Sequence, residues 1–374
     1  MSSLAERIKY TSSAKVPTCL DLFSGAGGIS IGFAMAGGRP LGAVDFDKDS
    51  IDTYSRLFPD AIDVACCDIE QWRPKSSPSE VDVIIGGPPC QGFSLARGLR
   101  FVDDPRNHLY KHFVSMVAYY KPTWFVMENV EGIINIGNGV ILKQIHEDFA
   151  TAGYSFDYKV VNMAEYGVPQ LRRRAVFVGN NLNKTFKWPE PCFYDKKKAT
   201  TQQNLFNNDL KPFNSVNSVL SDLLLPQGNY FAHRANSQMR GPRNRDAHTE
   251  PAFTLRVRGD EFALCELPAT SAFIPGPIPE EEVKFRKPQN ELQECLRNII
   301  PPWIQKSKVA NSRQTTLPEL KGTRRLTIRE QARLQTFPDW VSFEGKITSQ
   351  ARQIGNAVPP LFAFHLFNEI FSHM

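Results

Sequence analysis

The stretch VPTCLDLFSGAGG, Val16 to Gly28, decides the fold. Its first half is an apolar run of the kind a strand buried on both faces requires. Its second half is a glycine turn, and a helical pattern over Ile29 to Ala36 follows and stops at Gly37-Gly38. Strand, glycine turn and helix in that order open a parallel sheet with crossover helices.

The same alternation continues outward. Leu41 to Phe46 reads as a second strand, and Asp47 caps a helix with Ile51, Tyr54 and Phe58 on one face. Val81 to Ile85 is a short strand before Gly-Gly-Pro-Pro, Asn107 to Tyr120 a helix, Trp124 to Met127 a strand and Gly139 to Ala150 a helix. Tyr158 to Val161 and Ala175 to Val178 read as later strands. The expected fold class is α/β: a Rossmann-like sheet with helices on both faces over residues 17–180, after a polar segment 1–16. The pattern then collapses, and residues 181–322 read as a smaller, loop-rich domain with Leu292 to Ile300 as its best helix. Regular structure resumes in 323–374, with helices over Leu326 to Phe337 and Leu361 to Phe371. This ending is expected to return to the first domain, which makes the middle segment an insertion.

A chain of 374 residues suits two domains, and 41% hydrophobic with 22% charged residues suits a globular protein. No apolar run approaches the roughly eighteen residues of a membrane span. The start of the chain lacks the apolar centre of a signal peptide, so export is not expected. Seven cysteines without a Cys-x-x-Cys pair point to reduced thiols and a cytoplasmic setting. The net charge of +5 is mild, but six arginines lie between Arg234 and Arg258 against Asp246 and Glu250. Such a patch neutralises phosphates; a solvated arginine-rich loop is the plain alternative.

Ligands of an open parallel sheet bind beyond the carboxyl ends of its strands, and special residues gather there. The first strand ends in Asp21-Leu22-Phe23-Ser24-Gly25-Ala26-Gly27-Gly28, where glycines admit a close ligand and the helix start offers amides. Asp45 can accept both ribose hydroxyls, Phe46 can stack on adenine, and Asp68-Ile69 can receive its amino group. This set asks for a nucleoside cofactor, and taken alone NAD or a plain tight turn explains it too.

Gly86-Gly87-Pro88-Pro89-Cys90-Gln91-Gly92-Phe93-Ser94 is more specific. It presents Cys90 on a proline-stiffened polar loop, where a nucleophile is a better reading than an inert buried thiol. Glu128-Asn129-Val130 ends an apolar strand with a carboxyl placed to hold and deliver a proton. In Gln170-Leu171-Arg172-Arg173-Arg174, Arg172 and Arg174 point to one face if strand pairing starts there. Guanidiniums suit phosphates and base carbonyls.

With DLFSGAGG, Asp45-Phe46, GGPPCQGFS, ENV, QLRRR, RLTIREQARLQTFPDW and QIGNAVP in order, the chain resembles bacterial DNA (cytosine-5) methyltransferases of restriction–modification systems. The resemblance covers roughly 17–180 and 324–374. It implies S-adenosyl-L-methionine as cofactor, bound by Asp21, Phe23, Ser24, Gly25, Gly27, Gly28, Asp45, Phe46, Asp68, Ile69, Gly87, Pro88, Leu109, Asn356, Ala357 and Val358. It implies Cys90 as nucleophile at carbon 6 of cytosine and Glu128 at N3. Arg174 then holds the base carbonyl, Arg172 assists there or at a phosphate, and Asn129 orients the cysteine loop. The base must be flipped out of the duplex. Residues 181–322 become the target-recognition domain, with Thr254-Leu255 as the family's Thr-Leu landmark. Expected DNA contacts are Gln91, Ser94, Arg97, Arg240, Arg243, Arg245, Thr254, Leu255, Arg256 and Arg258.

The implied partner is double-stranded DNA, with a monomeric enzyme, no membrane, no metal site, and an endonuclease as a genetic rather than physical partner. Three alternatives stand beside this. An RNA substrate, as in tRNA-modifying relatives, fits the Gln91-Gly92 pair less well. An inactive DNA-binding paralogue does not need both Cys90 and Glu128. An NAD-dependent dehydrogenase gives no reason for Cys90 or the Gln170–Arg174 block.

Overall fold

A computed structural model describes residues 15–89, 109–197, 210–223, 228–233, 243–256, 262–266 and 323–374. The chain divides into two compact units. Of the described residues, the first holds 15–162, Arg173–Pro189 and Ala363–Met374; the second holds Met163–Arg172 and those between Glu190 and Phe362.

The first unit is built on a seven-stranded sheet. Its strands are β1 (Thr18–Leu22), β2 (Arg39–Asp45), β3 (Asp63–Cys66), β4 (Val83–Gly86), β5 (Trp124–Val130), β6 (Ser155–Asn162) and β8 (Arg173–Asn180). Between the last two in sequence lies the short β7 (Gln170–Leu171), which belongs to the second unit. The sheet order is β3-β2-β1-β4-β5-β8-β6. β1 to β5 pair in parallel, whereas β8 runs antiparallel to both β5 and β6. The parallel sheet with crossover helices expected from the sequence holds for β1 to β5; no crossover helix separates β6 from β8, so the chain returns there in the opposite sense.

Two-residue alternation sends each strand's side chains to two sides. Leu20, Leu22, Ile84, Phe125, Met127 and Phe177 form one core with α3 (Leu109–Tyr120) and α4 (Val140–Thr151). On the other side lie α1 (Gly28–Met35) and α2 (Lys48–Leu57), and Phe33 of α1 packs edge-on against Phe367 and Phe371 at 4.9 and 5.1 Å. Strand order reverses between β1 and β4, the switch point at which such sheets leave a crevice. Gly86 serves close approach there, because a Cβ on it would lie 2.2 Å from the Leu22 carbonyl oxygen. No helix among the described residues is long and apolar enough to cross a membrane.

The second unit carries an antiparallel sheet of order β12-β11-β14-β15, formed by β11 (Tyr230–His233), β12 (Arg243–Asp246), β14 (Phe262–Cys265) and β15 (Thr323–Arg325). The short strands β9 (Phe193–Tyr194), β10 (Lys211–Pro212) and β13 (Ala252–Phe253) lie outside it. Phe231, Phe262 and Leu264 pack on Val216, Val219, Leu220, Leu326 and Leu334. The expected loop-rich domain thus has a sheet and core of its own, and Leu292 to Ile300 lies outside the described residues. The C-terminal return expected from residue 323 is confined to Ala363–Met374. Helix Ile328–Leu334 stays with the second unit because Leu326 and Leu334 complete its core.

Arg333 of that helix is buried and donates from Nε to Asp339 Oδ1 (2.8 Å) and from Nη2 to Asp339 Oδ2 (2.7 Å) and Asp222 Oδ2 (3.0 Å). Its Nη1 reaches the Val219 carbonyl at 2.9 Å. Helix Val216–Leu220 and the segment after Ile328–Leu334 are thereby held to one guanidinium. Removing one member of a buried ionic cluster strands the others. Arg333→Met should therefore lower the unfolding free energy by about 3–5 kcal/mol in urea denaturation; a variant as stable as the parent would show the cluster to be incidental.

Candidate active site

Beyond Leu22 the chain turns through Phe23 (φ 57°), Gly25 (φ 52°) and Gly27 (φ 81°) before α1 begins at Gly28. Left-handed backbone suits glycine, and at Gly27 a Cβ would also lie 2.8 Å from the Tyr54 ring. A Cβ on Gly25 would meet nothing within 4 Å, so that side of the turn is open. The turn is tied to β2, since Ser24 N donates to the Val44 carbonyl (3.1 Å) and Gly25 N to Asp45 Oδ2 (2.8 Å). Asp45 Oδ1 accepts from Asp47 N at 2.9 Å. The backbone of Phe46 also bonds the Asp45 carboxylate, which keeps acceptor capacity for a further donor. Phe46 beside it is 79% exposed, a bare ring at the strand end. Asp68 Oδ1 caps the next turn by accepting from Glu70 N at 3.0 Å, with Ile69 buried after it. Leu109 opens α3, packed against the core.

Below the turn, Asp21 is buried. Its Oδ2 accepts from Ser30 Oγ at 2.7 Å, Ser30 Oγ lies 2.9 Å from the Tyr54 hydroxyl, and Asp21 Oδ1 has no partner among the described residues. Sequence reading missed Ser30 and Tyr54; their positions on the inward faces of α1 and α2 were the available signal.

At the other side of the switch point, Gly87 and Pro88 follow β4. Glu128 and Arg174 are diagonal cross-strand neighbours, since Glu128 pairs with Val176 and Val130 with Arg174. Glu128 Oε1 lies 3.0 Å from Arg174 Nε with side chains 13% and 18% exposed, an ion pair without an aligned hydrogen bond. The second oxygen, Oε2, stands 3.4 Å from where a Gly87 Cβ would be. Asn129 is buried; its Nδ2 donates to the Pro88 carbonyl at 3.0 Å and its Oδ1 accepts from Val130 N at 2.8 Å. Cys90, Gln91, Ser94 and Arg97 lie outside the described residues. The backbone two residues before Cys90 is nevertheless fixed by Asn129.

Arg172 and Arg174 do not share a strand face, because pairing of β8 begins at Arg173 and Arg172 belongs to the second unit. Arg173 instead forms a bidentate pair with Glu131, at 2.9 and 2.8 Å. Arg172 is 1% exposed and donates to the carbonyls of Leu255 (3.4 Å), Gly355 (3.2 Å) and Asn356 (3.5 Å). In the same unit Gln170, assigned no role from sequence, accepts from Leu255 N at 3.0 Å and donates to the Leu334 carbonyl at 2.8 Å and to Gln335 Oε1. Gln335 in turn donates to the Ala357 carbonyl. Thr254 Oγ1 donates to the Leu171 carbonyl, and β13 pairs with β7.

Leu255 is 3% exposed, so its expected DNA contact is corrected to packing: the side chain fills the core of the second unit. Asn356 ends helix Ile347–Asn356 with its side chain exposed, Ala357 is half-buried and Val358 buried. Arg243 and Arg256 are exposed and Arg245 half-buried, while Arg240 and Arg258 lie outside the described residues. Among the described residues no group of three His, Cys, Asp or Glu side chains is arranged to hold a metal ion.

Burial pushes the Asp21 carboxyl up to about 8, opposed by the Ser30 hydrogen bond and helped by the Asp45 charge. The folded protein keeps this proton where the unfolded chain releases it. The contribution to stability is therefore full below the ordinary 3.8 and is lost as pH rises through about 8. Asp21→Asn should flatten the pH dependence of the melting temperature between about pH 5 and about pH 9; an unchanged slope would mean another group carries it.

Residues 17–372 match the family described as C-5 cytosine-specific DNA methylase. The Type II methyltransferase M1.HphI of Haemophilus parahaemolyticus is 35% identical over 361 residues, spanning 95% of this chain and 87% of the relative. M.BspRI of Lysinibacillus sphaericus, also a Type II methyltransferase, is 31% identical over 384 residues, spanning 92% and 79%. A solved structure of a putative DNA modification methyltransferase encoded within an E. coli prophage is alike in fold, with TM-score 0.56 and 24% identity over 95% of this chain and 99% of that one. A match from the first strand to the last helix identifies the chain as a member of the C-5 cytosine-specific DNA methylase family.

Proposed function

We propose that the chain methylates carbon 5 of a flipped-out cytosine in double-stranded DNA, with Cys90 as nucleophile, Glu128 as the acid at ring N3 and S-adenosyl-L-methionine as donor. The observation that carries this reading is Glu128, held by Arg174 at the end of β5 and followed by Asn129, which grips the Pro88 carbonyl just ahead of Cys90.

Carbon 5 of cytosine is too electron-poor to attack a methyl donor directly. Addition of the Cys90 thiolate to carbon 6 forms the S–C6 bond and moves the ring's electron pair toward carbon 5. A proton or hydrogen bond from Glu128 at N3 offsets the negative charge that this addition places on the ring. Arg174 orients the carboxyl through Nε and has further N–H groups for the base carbonyl. After methyl transfer, loss of the carbon 5 proton and departure of Cys90 restore the aromatic ring.

The residues at the strand ends fit the donor. Gly25 leaves the turn open, Asp45 and the bare Phe46 ring suit a ribose and an adenine, and the unpartnered oxygen of Asp21 suits a donor group. When bound, S-adenosyl-L-methionine supplies an electrophilic methyl group on a sulfonium. Its binding residues are Asp21, Phe23 to Gly25, Gly27, Gly28, Asp45, Phe46, Asp68, Ile69, Gly87, Pro88 and Leu109. Type II methyltransferase names among the relatives support a modification enzyme paired genetically with an endonuclease.

Expression in a host without cytosine methylation, followed by sequencing for 5-methylcytosine, should reveal one modified motif. Cys90→Ser should abolish the mark, and Glu128→Gln should slow turnover by about 10²–10⁴-fold. Asn129→Ala should lower kcat while leaving S-adenosylhomocysteine binding near that of the parent. A Cys90→Ser protein as active as the parent overturns the covalent step.

A further inference from the structure

Sequence leaves the arginines between 234 and 258 unsorted, and the second unit sorts two of them. Arg243 and Arg245 lie two residues apart on the edge strand β12, opposite His233 and Phe231 of β11. Both therefore project from one face. Both guanidiniums cover the ring of Phe253, 4.7 and 4.5 Å from its centroid. Two cations beside one ring repel unless one is neutralised.

Arg245 is the neutralised one. Its Nη1 lies 3.3 Å from Glu250 Oε1, with side chains 20% and 16% exposed. Glu250 also receives Lys197 Nζ at 2.8 Å and Asp246 N at 3.0 Å. Burial pushes the Glu250 carboxyl up, but these donors more than offset it and hold it below the ordinary range, so it stays charged. Arg243 is exposed and makes no ion pair among the described residues.

An arginine seated on an aromatic ring has given up much of its rotamer freedom before any ligand arrives. Its donor edge remains free and presents parallel N–H groups. That edge matches two adjacent acceptors: N7 and O6 of guanine in the major groove, or two oxygens of one phosphate.

We propose that Arg243, seated on Phe253 and without a counter-ion among the described residues, is a DNA-contacting arginine of the recognition unit, whereas Arg245, engaged by Glu250, is its brace. The proposal rests on the DNA methylase reading. Its ligand is a paired acceptor on duplex DNA.

The test compares the full chain with Arg243→Ala, Arg243→Lys, Arg245→Ala and Phe253→Leu. Binding is followed by fluorescence anisotropy across a salt series. The probes are a duplex holding the sequence that the parent methylates and a scrambled duplex. Arg243→Ala should melt like the parent yet bind the site duplex roughly 5- to 150-fold more weakly. A loss confined to the site duplex and not restored by lysine identifies guanine. A loss on both duplexes, with the salt slope reduced by about one, identifies phosphate. Phe253→Leu should weaken binding in the same direction. Arg245→Ala should lower the melting temperature. An Arg243→Ala protein that still methylates and binds both duplexes as the parent does overturns the proposal while leaving the methylase reading standing. So does an Arg245→Ala protein that melts normally and alone loses DNA.

Discussion

The candidate active site depends on an arginine beside a carboxylate across two antiparallel strands. Glu128 alone at the end of an apolar strand would be a poorly oriented acid. The ion pair of its Oε1 with Arg174 Nε restrains that side chain at the strand end. The pair in turn requires that β8 run antiparallel to β5 in the register that makes residues 128 and 174 diagonal neighbours. The irregular end of an otherwise parallel sheet is thus a condition for this ion pair, because a parallel β8 would enter from the opposite end.

The stretch Gln170–Arg174 serves two structures. Gln170 and Arg172 bind the backbone of Leu255, and Arg172 also binds the turn at Gly355-Asn356, all within the second unit. Arg173 and Arg174 then hold Glu131 and Glu128 in the first. The boundary between units falls inside a single run of arginines. Chemically alike side chains on consecutive residues therefore have unlike partners: carbonyl oxygens for one, carboxylates for the others. Arg172, with its guanidinium on three carbonyls, acts through the backbone it holds.

Much of the first unit was legible in the sequence because its inner strands β1 and β4 are buried on both faces and α2 buries one face. The glycine turn at Ser24–Gly28 and the caps at Asp47 and Asp68 follow from local chemistry. The expectation that Asn129 orients the cysteine loop came from the resemblance and not from local pattern; the structure gives its side chain a bond to the Pro88 carbonyl. The second unit was less legible. Its strands are two to four residues long, and β12 reads Arg-Asn-Arg-Asp, with no apolar alternation to detect. Helix Ile328–Leu334 looked like any core helix; periodicity says that a face is buried and not which core receives it. The burial of Arg333 and Gln335 was not legible, because partners such as Asp222 and the Ala357 carbonyl lie far away in sequence.

The two-residue period of a strand gives the arginine run an evolutionary consequence. One extra residue inside β8, after Arg174, would turn every later side chain of that strand to the opposite face relative to Arg174. Leucine, lysine or glutamine can replace a neighbour there at graded expense, but an insertion or deletion changes all contacts at once. Lineages of this protein should accordingly vary the letters of this segment far more readily than its length.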